Sequence, residues 1–407
     1  MTILKETEAR PLSRNKLLGI AGLGWMFDAM DVGILSFVIA ALAAPEVWNL
    51  TPGQMGWIGS VNSIGMAVGA FVFGIFADRV GRKKIFILTL VLFSVASGLS
   101  ALATSLAVFM LFRFFVGMGL GGELPVASTL VSESVEAKER GRIVVLLESF
   151  WAAGWLIAAI ISYFIIPEFG WRIALLITAL PAIYAIYLRI NLPDSPQFTA
   201  KRERDRTFSQ NIKEVWSKKY TKPTLMLWIL WFTVVFSYYG MFLWLPSVMV
   251  MKGFTLIKSF EYVLIMTIAQ LPGYFSASWL IEKAGRKFVL VTYLLGTAAS
   301  AFIFGNADTT ILLVVSGAFL SFFNLGAWGA LYAYTPEQYP TVIRATGAGM
   351  AASIGRVGGI LGPLLVGTLV TGGYDIGWIF GVFCVAIVIG VLAVVTMGKE
   401  TKQLELE

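Results

Sequence analysis

Long apolar stretches alternate with short charged clusters along the whole chain. A helix needs roughly 20 apolar residues to cross the hydrocarbon core of a bilayer, and about twelve stretches approach or exceed that length. They cover residues 17–44, 54–77, 85–104, 107–132, 143–166, 171–191, 223–250, 259–281, 288–305, 310–333, 345–370 and 374–397. The pattern predicts an all-α membrane protein with twelve transmembrane helices, which we number as spans one to twelve in chain order.

The composition supports this prediction. Of the 407 residues, 57% are hydrophobic and 14% are charged, and the mean hydropathy is +0.79. The 41 glycines suit membrane helices, which pack closely through small residues. A soluble globular protein is therefore excluded.

The net charge of +7 is a signal of membrane topology. Lys and Arg concentrate at the N-terminus and in alternate loops, at residues 79–84, 138–142, 201–222 and 283–287. Because basic loops stay on the cytoplasmic side, we expect both termini in the cytoplasm of a bacterial cell and no nucleic-acid partner.

An internal repeat relates the two halves of the chain. Four acidic or arginine positions recur after 204 residues: Asp78 and Glu282, Arg82 and Arg286, Glu133 and Glu337, and Arg140 and Arg344. This recurrence indicates a duplication, with six-helix halves at 1–192 and 223–407 and a cytoplasmic linker at 193–222. We predict that the repeated residues and Arg142 form a cytoplasmic gate of ion pairs between the halves. Loops that only anchor the topology would explain the charges but not their repetition.

The ionisable residues inside the spans do not repeat. Apolar residues occupy the equivalent positions in the other half for Asp28, Asp31, Arg113, Glu123, Glu148 and Arg356. An ionisable residue within a membrane is energetically expensive and is a functional candidate by default. At about 1.5 Å per helical residue, Asp28, Glu123 and Arg356 lie near the bilayer midplane, where transporter sites are found.

The other unrepeated charges allow more than one interpretation. Arg113 lies within reach of Asp31, and the two form either part of an ion-coupling site or a permanent structural ion pair. Glu148 lies nearer the inner end of span five, where it fits either a central cavity or the gate. Arg356 fits either a substrate site or a side chain that snorkels away from the membrane core.

Deep aromatic residues accompany these charges. The candidates for substrate contact are Trp25, Asp28, Glu123, Trp151, Tyr239, Asn324, Trp328, Tyr332 and Arg356. Aromatic faces with one cation describe a site for a small flat anion, because rings stack and Arg binds a carboxylate with two parallel hydrogen bonds. Plain core packing is the alternative for each tryptophan.

The residues that the sequence lacks exclude other functions. With no histidine and only Cys384, the commonest proton shuttle and His-ligated metal sites are excluded. There is no phosphate-binding motif and no nucleophile–base pair, so we expect neither an enzyme nor a cofactor, and no ATP-driven transport.

Several motifs resemble those of a known family. GIFADRVGRKK (74–84) resembles the signature loop of the major facilitator superfamily. PDSPQF (193–198) and PEQYPTVIRATG (336–347) resemble its branch of sugar porters, aromatic-acid symporters and organic-ion transporters. Within that branch, GLGWMFDAMDVGILSF, FSYYGMFLWLPSVM and FFNLGAWGALYAYTPEQYP look closest to bacterial niacin permeases. The resemblance covers the whole chain and implies the major facilitator fold.

This resemblance also implies residue roles. Asp31 and Arg113 match the pair that titrates in proton-coupled sugar porters. Arg356 matches an arginine of organic-anion transporters, and Tyr332 matches an aromatic position of the sugar site. The stretch SYYGMFLW (237–244) replaces the polar run that sugar porters use, which favours an aromatic substrate.

We therefore expect a monomeric secondary transporter that imports nicotinate, with nicotinamide as a further candidate, by proton symport and alternating access. The alternatives are a transporter of another small aromatic acid, a drug exporter, or a membrane sensor that binds a metabolite without moving it.

Overall fold

The computed structural model describes residues 14–80, 82–133, 140–181, 183–184, 187 and 208–402. For part of the helical residues, including 77–80, 82–83, 122–133 and 140–142, it describes the backbone alone. Within the described residues all regular structure is helical. The helices are α1 (Arg14–Leu42), α2 (Pro52–Val80), α3 (Arg82–Ser100), α4 (Leu106–Glu133), α5 (Arg140–Ile177), α6 (Phe208–Val215), α7 (Thr221–Phe242), α8 (Leu245–Met251), α9 (Leu256–Ile268), α10 (Gln270–Ala284), α11 (Arg286–Gly305), α12 (Thr310–Glu337), α13 (Thr341–Thr371) and α14 (Ile376–Met397).

The described helices account for the predicted spans with three adjustments. Nine helical segments of the described chain are long and apolar enough to cross a membrane, and α3 and α4 contribute shorter apolar segments, Ile87–Ser100 and Leu106–Gly121. Span seven is divided between α7 and α8 before Pro246, and span eight is divided between α9 and α10 at Ala269. Spans five and six both fall within or just after α5.

The chain reverses direction inside α5. Gly170 has φ 80° and ψ 166°, a conformation that favours glycine and interrupts the helix. Phe150, before Gly170, packs beside Gly22, and the hydroxyl of Tyr184, after it, donates to the Ile20 carbonyl at 3.0 Å. Trp171, which directly follows Gly170, contacts the ring of Trp48, six residues beyond the C-terminal end of α1. The segment therefore makes two passes, as the apolar pattern predicts.

Close helix pairs build each half of the molecule. In the N-terminal half (α1–α5), α1 packs on α5 and α4 packs on α2 and α3; in the C-terminal half (α7–α14), α7 packs on α13 and α14, and α12 packs on α11. A methyl group on Gly117 of α4 would overlap the Asn62 carbonyl oxygen of α2, and one on Gly65 would overlap the Phe114 carbonyl oxygen. Glycine is required there because the two backbones touch.

The two halves make direct contacts near the C-terminal end of α1 and the N-terminal end of α2. There the Ser60 hydroxyl of α2 donates to the Ile360 carbonyl of α13 at 2.7 Å. Phe37 of α1 and Phe260 of α9 make an edge-on ring contact at 5.0 Å. These contacts close one end of the space between the halves, and the candidate site lies deeper in that space.

Candidate functional site

A buried ion pair joins α1 to α4. Arg113 Nη1 lies 3.1 Å from Asp31 Oδ2, and both side chains are 0% exposed. The Ser97 hydroxyl donates to Asp31 Oδ1 at 2.5 Å and also pairs with the Thr178 hydroxyl. Arg113 Nη2 donates to Ser97 Oγ at 2.7 Å and to Ser100 Oγ at 2.8 Å. The pair predicted from the sequence is therefore present, within a hydroxyl network that sequence reasoning missed.

A central cavity lies between the two halves. It is lined by Trp25, Asp28, Met66, Leu120, Trp151, Trp231, Val235, Tyr239, Trp328, Tyr332, Ala352 and Arg356. Its volume is about 10 Å³, which is room for about one water molecule. Seven of the nine predicted contact residues line it, drawn from α1, α5, α7, α12 and α13.

Of the other two predicted contact residues, only Asn324 is described with its side chain, and it does not line the cavity. Asn324 is buried on α12, one turn before Trp328. The side chain of Glu123 lies outside the described residues, so its substrate role stays a prediction. Sequence reasoning missed Met66 and Trp231, because a methionine or tryptophan in an apolar helix gives no signal of its own.

Arg356 is the cation that lines the cavity. Its Nη1 donates to the thioether sulfur of Met66 at 3.4 Å, and the Tyr239 hydroxyl lies 3.7 Å from the same sulfur. Because Met66 belongs to α2 and Arg356 to α13, this contact crosses between the halves. A thioether is a weak acceptor, so the guanidinium is held in place without a strong anionic partner at that contact.

A continuous chain of aromatic rings crosses the cavity. The centroids of Trp25 and Trp151 are 4.9 Å apart, and Trp151 Nε1 donates to the Tyr238 hydroxyl at 2.7 Å. The centroids of Tyr238 and Trp328 are 4.8 Å apart, and those of Trp328 and Tyr332 are 6.0 Å apart. The chain runs from the N-terminal half into the C-terminal half and provides faces on which a flat ring can stack.

Glu148 lies beside these rings and forms no ion pair with a described gate residue. It is 1% exposed, and its Oε2 accepts a hydrogen bond from Trp25 Nε1 at 3.3 Å. Glu148 therefore contacts a residue that lines the cavity without lining it itself, and its role stays a prediction.

The C-terminal members of the predicted gate form a cluster within their own half. Arg286 lies 3.2 Å from both Glu282 and Glu337. The Thr401 hydroxyl donates to Glu337 Oε2 at 2.5 Å, and Arg344 Nε donates to the Pro336 carbonyl at 3.0 Å. The side chains of the N-terminal members lie outside the described residues: Asp78, Arg82, Glu133, Arg140 and Arg142. Ion pairing between the halves at the gate therefore stays a prediction.

The described residues contain no group of three or more His, Cys, Asp or Glu side chains that could hold a metal ion. In that part of the chain the arrangement offers an arginine, an aromatic chain and buried acids. Such a site can bind a small ligand, and its buried acids can gain or lose a proton.

Comparison with known proteins identifies the family. The sequence profile of the Major Facilitator Superfamily matches residues 21–273 and 262–406. A Bacillus subtilis protein named "Putative niacin/nicotinamide transporter NiaP" is 66% identical, with 98% of this chain and 99% of that protein covered. The "Niacin transporter NiaP" of Acinetobacter baylyi is 45% identical, with 100% of this chain and 99% of that protein covered.

A solved structure shares the fold. The partially occluded inward-open structure of the xylose transporter XylE from E. coli superposes with a TM-score of 0.78 at 18% identity, covering 97% of this chain and 99% of that one. The predicted all-α membrane fold is confirmed. The chain belongs to the major facilitator superfamily, whose members named here are multi-pass membrane transporters.

Proposed function

We propose that this protein imports nicotinate across the bacterial cell membrane by proton symport. The observation that carries the proposal is a cavity lined by an aromatic chain and a single described guanidinium, that of Arg356. Two relatives named as niacin transporters support the choice of substrate. Nicotinamide is a second candidate substrate, because it shares the pyridine ring but lacks the negative charge.

Arg356 binds the carboxylate in this proposal. A carboxylate accepts two parallel, charge-assisted hydrogen bonds from a guanidinium, whereas the Met66 sulfur accepts only a weak one. The incoming substrate therefore displaces Met66 from Arg356. Since these two residues belong to opposite halves, the exchange removes one contact between the halves when the substrate binds.

The aromatic chain binds the pyridine ring. A cavity of about 10 Å³ is smaller than a six-membered ring, so side chains that line it move when the substrate enters. Trp25 and Trp328 border the cavity from opposite halves. A ring stacked between them contacts both halves at the same time.

Asp31 carries the proton. Its carboxylate accepts hydrogen bonds from Ser97 of α3 and Arg113 of α4, so it ties α1 directly to two other helices. Ser97 in turn pairs with Thr178, in the segment after α5. Protonation cancels its charge and weakens the attraction to Arg113. Trp25 and Asp28 lie on the same helix within two turns of Asp31. A shift of α1 that follows protonation of Asp31 therefore moves two residues that line the cavity.

Alternating access follows from the two halves. We propose that residues 1–192 and 223–407 rock about the cavity as a monomer, with both termini and the linker 193–222 in the cytoplasm. Arg286, Glu282 and Glu337 then form part of the cytoplasmic gate. The side chains of Arg286 and Glu337 are only 8% and 13% exposed, and that of Glu282 is 38% exposed, so this cluster forms a largely buried base for the C-terminal side of the gate.

Uptake of labelled nicotinate into proteoliposomes, with and without an inward proton gradient, tests the proposal. Accumulation above equilibrium that needs the gradient is the expected result. Equilibration without accumulation would support nicotinate as the substrate and would refute coupling to protons. Uptake of benzoate but not nicotinate would identify a transporter of another aromatic acid, and binding without counterflow would identify a sensor.

A further inference from the structure

Glu148 is a buried acid that the proposed transport steps leave unused. It lies on α5, one turn before Trp151, and it forms no ion pair with a described Lys or Arg. Its carboxyl group accepts a hydrogen bond from the Trp25 indole N–H at 3.3 Å, at the long end of the usual distance range. Burial of a carboxylate without a cation is costly, and it requires a compensating role or a neutral form.

The described side chains that approach Glu148 are aromatic and uncharged. Trp25 approaches from α1, Tyr274 from α10, and Trp328 and Tyr332 from α12. The Trp328 indole N–H is near the carboxyl group but does not reach hydrogen-bonding geometry. These surroundings favour a neutral carboxylic acid, and a neutral acid has one O–H group to donate.

Glu148 lies behind the lining of the cavity that Arg356 borders. It is not itself a lining residue, but Trp25, which donates a hydrogen bond to it, is one. The hydroxyl of Tyr332, which lines the cavity, lies within electrostatic range of both side chains. The two residues form no ion pair with each other in the described structure, and they belong to opposite halves. A six-membered ring enters only if the lining side chains move, and movement of Trp25 would open the cavity towards Glu148, with Arg356 in the other half.

We propose that Glu148, as a neutral acid, donates a hydrogen bond to the ring nitrogen of the substrate while Arg356 binds the carboxylate. This inference rests on the proposed function, because it takes nicotinate as the substrate. The ring nitrogen of a pyridine is an acceptor with no proton of its own at neutral pH, so its partner has to be a donor. No bond other than the hydrogen bond forms, and the proton stays on Glu148.

This arrangement gives the site selectivity against aromatic acids without a ring nitrogen. Benzoate has the same shape and the same carboxylate, but it would leave the buried acid of Glu148 without a partner in the filled cavity. Leaving a buried donor unpaired costs more free energy than a typical hydrogen bond contributes. Discrimination between nicotinate and benzoate then depends on Glu148, and the strength of carboxylate binding depends on Arg356.

A purely structural role for Glu148 makes a different prediction. If Glu148 only anchors Trp25 through the indole N–H, its loss disturbs the stacking surface, and both acids stack on that surface. Binding of nicotinate and benzoate would then weaken together. The ratio of the two affinities separates the roles.

The test is calorimetric binding of nicotinate and benzoate to the purified full-length protein, with isonicotinate as a third probe. The wild type should bind nicotinate about tenfold more tightly than benzoate or isonicotinate. Glu148→Leu should abolish that preference by weakening nicotinate alone. Glu148→Gln should keep most of it, because the amide N–H donates from the same place. Trp25→Phe removes the indole N–H from the stacking surface, so it should change both affinities by a similar factor and leave the nicotinate-to-benzoate ratio in place.

Each contrary result is distinct. Equal affinity of the wild type for nicotinate and benzoate overturns the role of Glu148, and this measurement does not depend on any variant folding. Equal weakening of both acids in Glu148→Leu assigns the residue to anchoring Trp25. A wild type that binds benzoate but not nicotinate overturns the proposed function itself, and this inference with it.

Discussion

The Asp31–Arg113 pair allows a quantitative test of the coupling mechanism. In Asp31→Asn the side chain keeps its size and its ability to accept from Ser97, but Arg113 loses its counter-ion. Both side chains are 0% exposed, so the remaining guanidinium charge is not relieved by water. Removing one partner of a buried ion pair costs about 3–5 kcal/mol in soluble proteins. The two serine hydroxyls that bind Arg113 Nη2 offset part of this cost.

Two readouts separate the stability of the pair from its coupling role. Thermal unfolding in detergent should show a clear loss of stability for Asp31→Asn, and proteoliposomes should show no gradient-driven accumulation of nicotinate. The double variant Asp31→Asn/Arg113→Gln removes both charges and should recover stability, because no buried charge is left alone. It should still fail to accumulate nicotinate, because it has no group at position 31 that binds the proton.

A surface pair provides the matched control. Lys258 and Glu261 form an ion pair at 2.7 Å with side chains that are 54% and 32% exposed. Glu261→Gln makes the same acid-to-amide change, and it should alter neither unfolding nor accumulation measurably, because exposed pairs contribute little. Accumulation that persists in Asp31→Asn would refute the proton role. Unchanged unfolding in Asp31→Asn would refute the energetic argument from burial.

Three further predictions concern the cavity and the helix contacts. Arg356→Gln should weaken nicotinate binding about tenfold or more and nicotinamide binding far less, because only the acid forms charge-assisted bonds; equal losses in competition assays would contradict the carboxylate role. Gly117→Ala should lower the unfolding temperature of the protein sharply, whereas Gly381→Ala, where an added methyl group meets no atom within 4 Å, should not; similar melting curves would contradict the close packing of α2 on α4. Tyr238→Phe should cost about 1–3 kcal/mol of stability, because it leaves the Trp151 indole N–H buried without its acceptor, and a change below the error of denaturant titration would count against that bond.

Much of the site was predictable from the sequence because charge is conspicuous in an apolar helix. An ionisable side chain is energetically costly in a membrane, and this cost singles out Asp28, Asp31, Arg113 and Arg356. The rise of about 1.5 Å per residue then gives the depth of each residue in the bilayer. The structure brings Asp31 to Arg113 and places Asp28 and Arg356 at one cavity. Trp328 and Tyr332 were also predicted contact residues; they lie four residues apart on one face of α12, and both line that cavity.

Neutral residues with essential contacts were not predictable. Ser97, Ser100 and Thr178 surround the buried ion pair, yet hydroxyl residues are common in membrane helices and are usually satisfied by their own backbone. Met66 contacts Arg356 across 290 positions of the chain. Such contacts depend on how α2 and α13 approach each other, and no periodicity within one helix reports that approach.

The sequence by itself determined the membrane class, the apolar spans, the duplication and the identity of the buried charges, because each of these is a local or periodic property of the chain. Beyond the Asp31–Arg113 pair, which the sequence predicted, the tertiary structure alone decided what each buried charge contacts. It placed Glu148 beside Trp25, and it gave Arg356 a thioether as its contact. The physical reason is that burial and hydrogen bonding depend on distances between helices, and residues far apart in the chain set those distances.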